Sequence, residues 1–89
     1  MSPEEEISRA ERARQLLDDE LFKESVSAVR NALISGIERS AITDATLREK
    51  LGQQLIALSG VLSILVTHME TGRLAQEELK QRATRKKVL

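Results

Sequence analysis

Leu51-Gly-Gln-Gln-Leu-Ile-Ala-Leu-Ser-Gly-Val-Leu-Ser-Ile-Leu-Val-Thr-His-Met69 is the stretch that decides the fold. These nineteen residues carry no formal charge, in a chain where 31% of residues are charged. Leu47, Leu51, Leu55, Leu58, Leu62, Leu65 and Met69 recur at steps of three and four, which is the seam of an amphipathic helix. Ile56, Val61, Ile64 and Val66 form a second apolar row beside that seam. A small chain cannot readily bury a helix that is apolar on more than one side. The stretch therefore points to self-association or to a partner.

Working outward, the spacing predicts a helix over residues 44–70, roughly 40 Å long at 1.5 Å per residue. Thr43 is the expected N-cap, with Ile42 and Leu47 at the two positions of a hydrophobic staple. Gly72 is the expected left-handed cap that ends this helix. Gly52 and Gly60 lie inside it, where glycine costs about 1 kcal/mol relative to alanine. Either they permit another helix to approach closely, or they are merely tolerated.

Upstream, Phe22, Val26, Val29, Leu33 and Ile37 give a single apolar stripe and predict a helix over 20–37, with Gly36 near its end. A helix over 3–17 opens with Ser2, Pro3 and Glu5 in capping positions and with Glu4 to Glu6 at the positive end of its dipole. Its apolar face is thin, so it reads as a solvated arm docking at Leu16 and Leu17. Asp18 and Asp19 mark a break, although a continuous helix through them is compatible with the spacing. Residues 1–79 are taken as one helical domain, followed by a basic tail, 80–89, expected to fray.

The expected fold is all-α: a helical hairpin or three-helix bundle with a long helix in the C-terminal half, oligomerising through it. The expected interface is Leu51, Leu55, Leu58, Leu62, Leu65 and Met69. Composition supports this. With 89 residues and no cysteine, disulfides and thiolate zinc sites are excluded, which leaves oligomerisation as the aid to a small core. Phe22 is the only aromatic residue, which removes the stacking platforms used for single-stranded nucleic acid.

Charge is balanced overall, with 14 basic and 14 acidic residues, but it is graded along the chain. The first twenty residues are acidic and the last nineteen are basic. Five of the eight residues from Lys80 to Lys87 are basic. Arg82, Arg85, Lys86 and Lys87 could therefore contact nucleic-acid phosphates, anionic lipid or an acidic protein surface, or serve only to solvate the tail. The acidic N-terminus lacks the pattern of a signal peptide.

No catalytic, cofactor or metal site is expected. There is a single histidine, His68, beside the seam, where a core or boundary role outweighs ligation, because zinc needs three or four convergent ligands. No phosphate loop or nucleophile elbow occurs. The uncharged stretch approaches the length of a membrane span. However, it contains Gln53, Gln54, Ser59, Ser63, Thr67 and His68, and its strongly apolar core, Leu55 to Val66, has only 12 residues.

Two segments carry a resemblance. Glu11-Arg-Ala-Arg-Gln-Leu-Leu-Asp-Asp-Glu-Leu-Phe22 and Met69-Glu-Thr-Gly-Arg-Leu-Ala75, the latter after the helix opened by Leu47-Arg-Glu-Lys-Leu51, resemble small helical proteins of tailed phages and prophages. Such proteins are encoded among head-morphogenesis genes. The resemblance spans about residues 11–79 and lacks the tryptophan that such proteins carry in their middle helices. It implies a non-enzymatic scaffold, connector or minor virion component in the host cytoplasm or virion, with itself and other phage structural proteins as partners. A DNA-packaging factor using the basic tail is the alternative. A basic tail after an apolar helix is also similar to small phage lysis proteins, which would act on a membrane.

Overall fold

A computed structural model describes residues 1–88, with side chains described through Lys86. The protein is all-α. Its helices are α1 (Pro3–Asp18), α2 (Glu20–Arg39) and α3 (Ala45–Val88). They form two compact units, and α3 contributes to both. One unit is Met1–Asp18 with α3 from Ile64 onward; the other is Asp19–Ser63.

The break between α1 and α2 falls at a single residue, Asp19. Its extended backbone interrupts the helix, and its carboxylate accepts a hydrogen bond from the Phe22 amide at 2.8 Å. That aspartate satisfies a donor the first turn of α2 leaves unpaired. At the start of α1, the Ser2 hydroxyl accepts from the Glu5 amide at 3.2 Å and donates to the Glu5 carboxylate at 3.1 Å. The α2 helix runs past Gly36 and stops at Ser40, whose amide and hydroxyl both donate to the Ile37 carbonyl.

In the Asp19–Ser63 unit, α2 and the first part of α3 form a hairpin. Phe22, Val26, Leu33 and Ile37 are half-buried, as are Leu51, Leu55, Leu58 and Leu62 across the pair. Gly36 allows the two helices to meet, since a side chain there would come within 3.0 Å of a Leu51 methyl group. Arg48 holds the connection. Its guanidinium donates to the carbonyls of Ala41 and Ile42, the latter at 2.8 Å, and to the Ser40 hydroxyl at 3.4 Å. The N-cap of α3 is Asp44, not Thr43: its carboxylate accepts from the Leu47 amide at 3.1 Å. Ile42 is 93% exposed, so the expected staple onto Leu47 is not made.

The expected stop of the third helix at Glu70 is corrected. The helix continues through Gly72 to Val88, and no glycine takes a positive φ. Two causes are visible. Arg73 bridges Glu70 at 2.6 Å and Glu77 at 2.9 Å, tying the turns on either side of the glycine. The residues beyond are strong helix formers, and Arg82 pairs with Glu78 among them. Residues 80–88, expected to fray, are helical.

Gly72 instead packs on α1. A Cβ at Gly72 would collide with the Ala10 Cβ and lie 3.1 Å from the Glu6 carbonyl oxygen. Ala13 and Ala75 are the buried apolar side chains among the described residues, at 4% and 2% exposure. The α1 helix packs through Ala10 and Ala13; of the two expected docking residues, Leu16 is 42% exposed and Leu17 is half-buried. Gly52 and Gly60 face open space. Gly72→Ala is expected to lower stability by about 1–3 kcal/mol through overpacking. Gly60→Ala is expected to raise it by about 0.4–1 kcal/mol. Urea unfolding followed by circular dichroism measures both.

Candidate interaction surfaces

The six seam residues expected to form an interface fall in both units, and all are half-buried. Leu51, Leu55, Leu58 and Leu62 line the hairpin seam. In the other unit, Leu65 is half-buried, and Met69 borders a groove of about 300 Å³ shared with Ile7, Ala10 and Gly72. A hairpin has one line of contact, so the leucine row is spent largely inside the chain. The open surface belongs to the second row. Ile56 and Val61 are 73% and 54% exposed in the hairpin unit; Ile64 and Val66 are 61% and 56% exposed in the other.

Burial is sparse. No residue from Asp19 to Ser63 is buried, and neither is any residue of α2 as a whole. Val29, in the middle of the α2 stripe, is 50% exposed. The α3 helix contains an 18-residue window of mean hydropathy 1.4, of which 6% is buried. By length and composition α3 is thus able to cross a membrane, a property it shares with the core helices of soluble proteins. A core helix, however, is mostly buried, and this one is not.

The basic end of α3 is ordered as a helix, which sets Arg82, Arg85 and Lys86 at i, i+3 and i+4 on one side. Arg82 is bound to Glu78, so its charge is partly answered within the chain. Arg85 and Lys86 are exposed; the Lys87 side chain lies outside the described residues. His68 is half-buried and lines a shallow groove with Met1, Glu6 and Thr71. Among the described residues, no group of three or more His, Asp or Glu is placed to hold a metal ion.

Sequence reading missed two features. Arg48 as the clamp of the connection carries no local signature, because a lone arginine after a cap reads as solvated. The contact of α1 with α3 did leave a signal, in the small pairs Ala10–Ala13 and Gly72–Ala75, each at i, i+3. Compared with known proteins, the chain matches no family model, no curated protein and no solved structure.

The ion pairs are exposed and follow the helix spacing, so solvent screens them strongly. A hydrogen bond from Arg14 holds the Glu11 carboxyl below its ordinary range, and Arg73 does the same for Glu70. A carboxyl depressed in the folded state contributes stability above its unfolded pKa and loses it as pH falls through the folded value. The melting temperature should therefore fall as pH drops through and below about 4.3, the ordinary carboxylate value. Glu70→Gln should flatten part of that fall; thermal melts across acid pH test it.

Proposed function

We propose that this protein is a non-enzymatic helical assembly module that works as a homo-oligomer, with the α2–α3 hairpin as its associating part. The observation that carries this reading is the absence of any buried residue from Asp19 to Ser63. A hairpin without a buried side chain is marginal alone, and small domains meet this deficit by oligomerising. The chain carries no cysteine for disulfides, and among the described residues no metal-binding cluster supplies the alternative. The exposed Ile56 and Val61 supply apolar surface for association. A role as a phage scaffold, connector or minor virion component is the biological setting we propose, and it rests on the resemblance of residues 11–22 and 69–75.

A second reading, insertion of α3 into a membrane, is favoured by the little-buried apolar window of mean hydropathy 1.4. Gln53, Gln54 and Ser59 within α3 weigh against it. Sedimentation at micromolar concentration should give a multiple of the 9.9 kDa chain mass. A monomer there would refute self-association, and flotation with lipid vesicles would select the membrane reading. Leu58→Glu places a charge in the half-buried seam, so loss of helical circular dichroism is expected rather than simple dissociation.

A further inference from the structure

We draw no further inference here: the strongest candidate, the exposed apolar patch on the α2–α3 hairpin that carries Leu21, Val29 and Val61, is an unpartnered surface, and nothing in the structure shows what covers it.

Discussion

Two helices have one line of contact, and this constraint governs the hairpin. Each helix offers a cylinder, and pairing covers a strip along it. The α2 stripe and the leucines Leu51 to Leu62 of α3 meet along that strip, yet no residue from Asp19 to Ser63 is buried. Even Val29, central to its stripe, keeps half of its surface in solvent. Burial of apolar area contributes about 25 cal/mol per Å², so side chains that remain half-exposed leave much of the available stabilisation unused. Residual apolar surface here follows from topology, not from a faulty sequence pattern.

The other unit solves a packing problem differently. Where α1 meets α3, alanine and glycine replace leucine. Gly72 lets the Ala10 side chain and the Glu6 carbonyl come close, and Ala13 and Ala75 reach near-complete burial because they are small. Backbone proximity there substitutes for side-chain volume, gaining dispersion contacts that depend steeply on distance. The groove beside it, bordered by Ile7, Arg73 and Leu79, has about 570 Å³ and is open. Its lining mixes charged and apolar groups.

Legibility from sequence tracks how far each signal is local. The three helices were legible because caps and periodicity are local: Ser2 with Glu5, Asp19, and the steps of three and four in α2 and α3 all operate within a turn or two. The end of α3 was not. A glycine after a leucine-rich helix reads as a cap, and the same glycine reads as a contact point only once Ala10 is known to stand against it. Locally, Thr71-Gly72 disfavours helix by about 1 kcal/mol. The Glu70–Arg73–Glu77 bridge and the packing of α1 offset that cost from outside the segment. The seam residues were legible as a row, but a row does not say which partner covers it. Half-burial of Leu51 through Leu62 by the chain's own hairpin is a tertiary fact.

The uncharged stretch Leu51–Met69 therefore has two separable parts. The leucine row is apolar because α2 lies on it. Ala57 and Val61 have no such reason within the hairpin, and neither have Leu21 and Ala32 on α2. Isolated exposed apolar residues are ordinary on protein surfaces. Ile56 and Val61 stay 73% and 54% exposed in the hairpin unit, apolar surface that α2 does not cover.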